Sequence, residues 1–242
     1  MSGFISKDTV QRLLRDVKQI MKNPLTDNGI YYQHDEEDML KGYALIVGPS
    51  ETPYYGGFYF FQFTYPYDYP HSPPKVEFKT NGDSIRFNPN LYVNGKVCVS
   101  ILNTWSGDQW TSCQTISTVL LTLCTLLCKN PLLNEPGVYE NHKDIIPYEE
   151  IITYKNIEIA ILRFINKDSR TYSYSSQIFD RFYDVMKENF LKQSPSILEF
   201  LEKNLERKDE KWNTMYYDMK VTVNYNDLYN NYKQTYETLK NN

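Results

Sequence analysis

The chain has 242 residues with 26 basic and 30 acidic side chains, a net charge of −4, and neither residues 1–140 nor residues 141–242 carry the basic excess that sequence-independent phosphate binding requires. Apolar residues at 41% and charged ones at 23% exclude wholesale disorder, and a body of this size buries enough surface to need no metal or disulfide staple. Four cysteines form no disulfide framework, the first eight residues lack the apolar core of a signal peptide, and the longest near-apolar run, residues 119–128, is too short to cross a bilayer, so the expected compartment is the cytoplasm, with the nucleus also open.

The first predicted element is a helix over residues 7–22. Val10, Leu13, Leu14, Val17 and Met21 recur at helical spacing, Ser6 or Asp8 can serve as N-cap, and Pro24 lies just past the end. Lys7, Gln11, Arg15, Lys18 and Lys22 fall on the other side as a basic stripe; such a stripe is a solvated face unless a partner docks on it. Residues 41–47, 58–64 and 75–79 are short runs rich in aromatic and β-branched residues. They are separated by Gly48-Pro49, Gly56-Gly57 and the stretch from Tyr65-Pro66 to Pro73-Pro74, a pattern that predicts an antiparallel meander. Residues 83–102 hold too much Asn, Pro and Gly for regular structure and predict a long ordered surface loop. A second helix over 114–128 presents Ile116, Val119, Leu120, Leu123 and Leu127 as a broad apolar face, which makes it central. Beyond Pro147 the pattern is mostly helical, over 148–166, 175–192, 195–210 and 225–240, with a strand-like patch at 219–223. With 22 tyrosines against 10 glycines and only two alanines, tyrosine is expected to replace phenylalanine in the core, so a single tyrosine is weak evidence of function.

No phosphate-cradling glycine motif occurs, and His34, His71 and His142 show no metal-ligand spacing with cysteine. Cys124 and Cys128 stand four apart on the second helix and read as buried core thiols rather than a metal pair. Cys98 differs from them. It follows the Asn94-Gly95 turn at the edge of the irregular loop, and Asn90 offers an amide donor eight residues before it, after Pro89 has stiffened the chain. A thiol without a neighbouring histidine lacks the base that papain-type chemistry uses. It suits a carrier that holds an acyl group and gives it up to an amine, with the amide steadying the oxyanion. A plain structural thiol is the alternative.

In ordered succession these residues resemble the ubiquitin-conjugating enzyme family over roughly residues 7–140. The pieces are the first helix, Gly48-Pro49, Tyr54-Tyr55-Gly56-Gly57-Phe58, the Tyr65–Val76 stretch where the family has Y-P-x-x-P-P, Asn88-Pro89-Asn90, Asn94-Gly95, Cys98, and Trp110 leading into the second helix. The resemblance implies an α+β fold: a four-stranded antiparallel meander with an N-terminal helix and a central helix, plus C-terminal helices. The expected division is a core domain over 1–166 and a helical extension over 167–242 packed on it. Residues Leu102–Trp110, Asn130-Pro131 and Asn134-Glu135-Pro136-Gly137 are similar to the larger, Use1-like branch of the family, whose members carry such an extension.

The resemblance also implies that Cys98 takes ubiquitin or a ubiquitin-like modifier as a thioester from an activating enzyme and passes it to a lysine amine of a protein substrate or to a RING- or HECT-type ligase. No cofactor is implied, since the activating enzyme consumes the ATP, and no nucleic acid or membrane partner is expected. Asn90 would stabilise the oxyanion or hold the loop. Lys7, Arg15 and Lys18 would dock the activating enzyme, and Tyr65, Ser112 and Cys113 match the loops that ligases grip. Three departures stand out: the family's usual H-P-N is here Asn88-Pro89-Asn90, Ser100 replaces a common aspartate, and Glu135 is the candidate carboxylate for positioning the incoming lysine. The competing expectation is a non-catalytic module of the same fold that binds ubiquitin or ligases.

Overall fold

The computed structural model describes residues 5–172 and 176–241. Residues 1–4, part of the leader reading, and residue 175, where one helix is predicted to begin, lie outside the described residues. Helix α1 (Lys7–Lys22) opens on Ser6, whose hydroxyl accepts from the Thr9 amide at 3.0 Å. Its buried stripe is Thr9, Leu13, Asp16 and Ile20, while Leu14 and Met21 are exposed. The face that packs is thus rotated from the one that apolar spacing predicts. The cause is polar: Asp16 is buried because Arg12 and Tyr69 satisfy it, with Arg12 Nε 2.9 Å and Tyr69 Oη 2.5 Å from its carboxylate.

Strands β1 (Ile30–His34), β2 (Lys41–Val47), β3 (Phe58–Thr64) and β4 (Lys75–Phe78) form an antiparallel sheet in chain order. The register sets Leu45 opposite both Tyr31 and Phe60. Strand β3, with sequence FYFFQFT, is buried along nearly its whole length, as expected for a strand covered on both faces. Phe60 meets the rings of Phe164, Phe179 and Phe182 from the second half of the chain, and Phe63 meets Tyr32 edge-on. Helix α2 (Ile116–Leu126) is closed by a Thr115/Thr118 capping box and buries Ile116, Val119, Leu120, Leu123 and Leu126, which makes it the central helix.

Helix α3 (Ile145–Lys155) runs on as a π-helical segment, Asn156–Arg163. Asn156 is buried there: its carboxamide accepts from Tyr59 Oη at 2.6 Å and donates to the Tyr55 carbonyl at 2.9 Å. A Cβ at Gly57 would lie 1.9 Å from Asn156 Oδ1, so only glycine admits this contact. Two short helices follow, α4 (Ser169–Tyr172) and α5 (Ser176–Asp180), then α6 (Tyr183–Lys203). Where the sequence predicts two helices divided near residue 194, α6 runs through Pro195 unbroken. Met186, Phe190, Ile197 and Leu201 bury one continuous face, which offsets the roughly 3 kcal/mol that an interior proline costs.

The rest of the predicted 195–210 helix is corrected to a turn at 204–207 and the start of a strand. β5 (Lys208–Asn213) pairs with β6 (Lys220–Asn224) as an antiparallel hairpin before helix α7 (Tyr225–Lys240). The segment beyond 167 is therefore helical with a hairpin set into it. Charged residues dominate β5 and hide the strand from a periodicity argument, whereas the alternating Val221 and Val223 of β6 expose it. Among the described residues no helix is long and apolar enough to cross a membrane.

Candidate active site

The loop between β4 and α2 is built on turn chemistry. Asn94-Gly95 closes a tight turn, with Gly95 at φ 88° donating to the Tyr92 carbonyl and Tyr92 donating to Lys96. Upstream, Asn88 is fully buried. Its Nδ2 donates to Tyr54 Oη at 3.0 Å and to the Leu126 carbonyl at 2.7 Å, and its Oδ1 accepts from the Asn90 amide at 2.9 Å. Asn88 thus ties the loop to the end of α2 through its carboxamide. From the other side Arg86 donates to the carbonyls of Asn88 at 3.1 Å and Pro89 at 2.6 Å, and its guanidinium lies 3.3 Å from the Tyr92 ring centroid.

Within this frame Asn90 and Cys98 clasp each other. The Cys98 amide donates to the Asn90 carbonyl at 2.9 Å, and Asn90 Nδ2 donates to the Cys98 carbonyl at 2.7 Å. Asn90 Oδ1 is buried without a hydrogen-bond partner. Cys98 is only 2% exposed, whereas a carrier must present its thiol to the modifier. The chain curls tightly after it, with Thr104 Oγ1 bonded to both the amide and the carbonyl of Val99. Gly107, in the exposed 103–109 stretch, comes close enough to Ser100 that an added Cβ would sit 3.2 Å from the serine Cβ. Cys98 is buried between the core residues Val97 and Val99.

The other predicted residues divide. Glu135 is half-buried in the loop after α2, next to Asn134, whose Nδ2 reaches the Leu126 carbonyl that Asn88 also uses. Lys7, Arg15 and Lys18 are exposed along α1. Ser112 and Cys113 are exposed on a loop held by Arg12, which donates to the Ser112 carbonyl at 2.5 Å and to the Gln114 carbonyl at 2.6 Å. Tyr65 is corrected: it is 1% exposed and its hydroxyl bonds Tyr32 Oη at 2.8 Å. A ring sealed in this way is a core residue and gives a ligase nothing to grip; Tyr67, two residues on, is the exposed one. Cys124 and Cys128 are half-buried, burial pushes both thiols up, and no metal-binding cluster occurs among the described residues.

Sequence reasoning missed Arg86 and Tyr217. Tyr217, at the tip of the β5–β6 hairpin, donates to Glu135 Oε2 at 2.5 Å and takes the Arg86 guanidinium over its ring at 4.9 Å. No local motif marks either residue, because the contact joins segments 82 positions apart.

A model of the ubiquitin-conjugating enzyme family matches residues 12–153. Ubiquitin-conjugating enzyme E2 Z of Xenopus tropicalis is 44% identical over 163 residues, covering 66% of this chain and 51% of the relative. The human E2 Z is 46% identical over 153 residues, 62% of this chain and 43% of the relative. Probable ubiquitin-conjugating enzyme protein 17 of Caenorhabditis elegans is 34% identical over 204 residues, 78% of this chain and 27% of the relative. The chain thus spans about half or less of the length of these relatives.

Proposed function

The chain belongs to the ubiquitin-conjugating enzyme family, and we propose that it is an acyl carrier: Cys98 accepts ubiquitin or a ubiquitin-like modifier from an activating enzyme and passes it to a lysine amine or to a ligase. The observation that carries this reading is the reciprocal clasp of Asn90 and Cys98, which ties a carboxamide to the backbone of the thiol-bearing residue in a loop braced by Asn88 and Arg86.

In loading, the Cys98 thiol gives its proton to solvent and its sulfur attacks the carbonyl carbon of the modifier's thioester. The new C–S bond forms as the old one breaks, and the activating enzyme's sulfur leaves as a thiolate. In discharge, a neutral lysine amine attacks the same carbonyl. The tetrahedral oxyanion collapses, the bond to Cys98 breaks, the sulfur leaves as a thiolate, and the nitrogen gives its extra proton to solvent to leave an amide. Asn90 spends one Nδ2–H on the Cys98 carbonyl and has a second for the oxyanion, an interaction whose loss typically costs roughly 10²–10³ in rate. Glu135 is the carboxylate assigned to the incoming amine.

On this reading the exposed Lys7, Arg15 and Lys18, with the exposed Leu14 beside them, receive the activating enzyme. Ser112 and Cys113, together with Tyr67, face the ligase. The compartment is one that supplies an activating enzyme and ATP, the cytoplasm or the nucleus.

The 2% exposure of Cys98 favours a second reading, a module of the same fold that binds ubiquitin or a ligase and transfers nothing. One assay separates the two. The chain is incubated with ATP, either of two activating enzymes and a panel of modifiers, and resolved with and without reductant. A carrier gains the mass of one modifier and loses it on reduction, and the panel identifies the modifier. A module gains nothing from any modifier with either enzyme.

A further inference from the structure

The turn between β5 and β6 is an outlier with a purpose. Tyr217 has φ 64° and ψ 8°, and Asp218 follows at φ 45°. Left-handed backbone costs a bulky side chain of order 1–3 kcal/mol and persists only where the surroundings over-determine it. Here they do. The buried carboxylate of Asp144 accepts from the amides of Met215 at 2.8 Å and Tyr216 at 2.9 Å. Thr214 Oγ1 donates to the Tyr216 carbonyl at 2.7 Å, and the Thr214 amide donates to Met219. The turn is pinned to the chain at Asp144, and its strained residue delivers a phenol to the site 82 positions away.

We propose that Tyr217 is a positioning residue of the thiol site, supplied by the C-terminal segment: its hydroxyl orients the Glu135 carboxylate, and its ring holds Arg86, whose guanidinium fixes the carbonyls of Asn88 and Pro89. One side chain thereby couples the two halves of the site, the loop that carries Asn90 and Cys98 and the carboxylate that meets the amine. Tyr148 seats the assembly from below, with its ring edge-on to Tyr217 at 6.1 Å and its hydroxyl donating to the Arg86 carbonyl at 2.6 Å. Burial and the Glu135 carboxylate both push the Tyr217 phenol up, so it stays a donor throughout the working pH range. This inference rests on the carrier reading above. It adds that the extension takes part in discharge rather than only packing against the core.

The test uses the whole chain in single turnover. The protein is charged with ubiquitin, or with whichever modifier the panel identifies, loading is stopped, and loss of thioester is followed with free lysine and with water alone. Tyr217→Phe keeps the ring and removes the hydroxyl. The expected result is an aminolysis rate about tenfold lower, the size of one hydrogen bond to a charged group, with loading and hydrolysis within about twofold of the parent. Water needs no oriented carboxylate, so the amine-specific deficit separates positioning from a general loosening of the fold. Combined with Glu135→Ala, Tyr217→Phe should cost nothing more, because the hydroxyl acts through the carboxylate.

Parent-like aminolysis in Tyr217→Phe would overturn the proposal, and so would equal losses in loading, hydrolysis and aminolysis, or full additivity with Glu135→Ala. A parent chain that never charges overturns the carrier reading itself, and Tyr217 then has no transfer to position. Failure of the inference and failure of its premise are therefore told apart by the first step of the same experiment.

Discussion

The loop that carries Cys98 and the hairpin that ends in Tyr217 reach one site by opposite routes. The loop is local. Its turn, its clasp and the Arg86 bonds join residues within ten positions of each other, while Asn88 reaches out to Tyr54 and Leu126. The hairpin arrives from the far end of the chain and docks through Asp144 and Glu135, across 71 and 82 positions. The loop is held by the side chains of Arg86, Asn88 and Asn90 on backbone carbonyls and amides, while the hairpin contributes one phenol at the expense of strained backbone. On the carrier reading, the thiol side of the site belongs to the loop, and the proposed amine side leans on the hairpin through Tyr217 and Glu135.

Variants can break that division in turn. The largest effect is expected from Asn90→Ala, which removes the carboxamide from the thiol side. Discharge to lysine should fall roughly 10²–10³-fold, with a smaller loss in loading, as read by single-turnover rates. Equal losses in both steps would reassign Asn90 to loop structure. Asn88→Ala should act on the loop's brace rather than on chemistry: three hydrogen bonds of a fully buried carboxamide are lost, and denaturant unfolding should register about 2–3 kcal/mol. Glu135→Ala should slow lysine attack about tenfold and leave hydrolysis alone; an unchanged aminolysis rate removes it from the amine side.

The smallest effect concerns the start of the loop. Asp83 is clasped there by Arg163 at 2.9 and 2.6 Å and by Lys155 at 3.2 Å, and the Arg163 guanidinium holds its carboxyl below the usual range. A depressed carboxyl contributes stability that is complete above its ordinary value near 3.8 and is lost as pH falls through the folded value. With Asp83 40% exposed, solvent screening keeps the contribution below about 1 kcal/mol. Thermal melts from pH 6 down to pH 3 should therefore show a small extra loss below pH 4 that Asp83→Asn abolishes.

Much of this molecule was legible before its structure. The meander follows from turn residues between aromatic runs, α2 from an uninterrupted apolar face, and the Asn94-Gly95 turn from its dipeptide alone. What was hidden was polar or distant. The packing face of α1 is rotated because Asp16 buries itself against Arg12 and Tyr69, and hydrophobic periodicity does not count a satisfied carboxylate as core. Tyr65 matches a ligase-contact loop by its motif, with a packing role equally open, and it lies in the core, where Tyr32 gives its hydroxyl a partner. The hairpin escaped because β5 is charged on both faces and its strand identity comes from pairing with β6. Tyr217 escaped for the reason that makes it informative: its partners are far along the chain, and among 22 tyrosines nothing local sets it apart.

One sulfur decides whether the chain is a carrier, and intact-mass spectrometry of charging mixtures interrogates it directly. The parent should gain one modifier that reductant removes, Cys98→Ser should gain one that survives reductant as an oxygen ester, and Cys98→Ala should gain none. Charging of Cys98→Ala to the level of the parent would contradict the account and move the carrier to another residue.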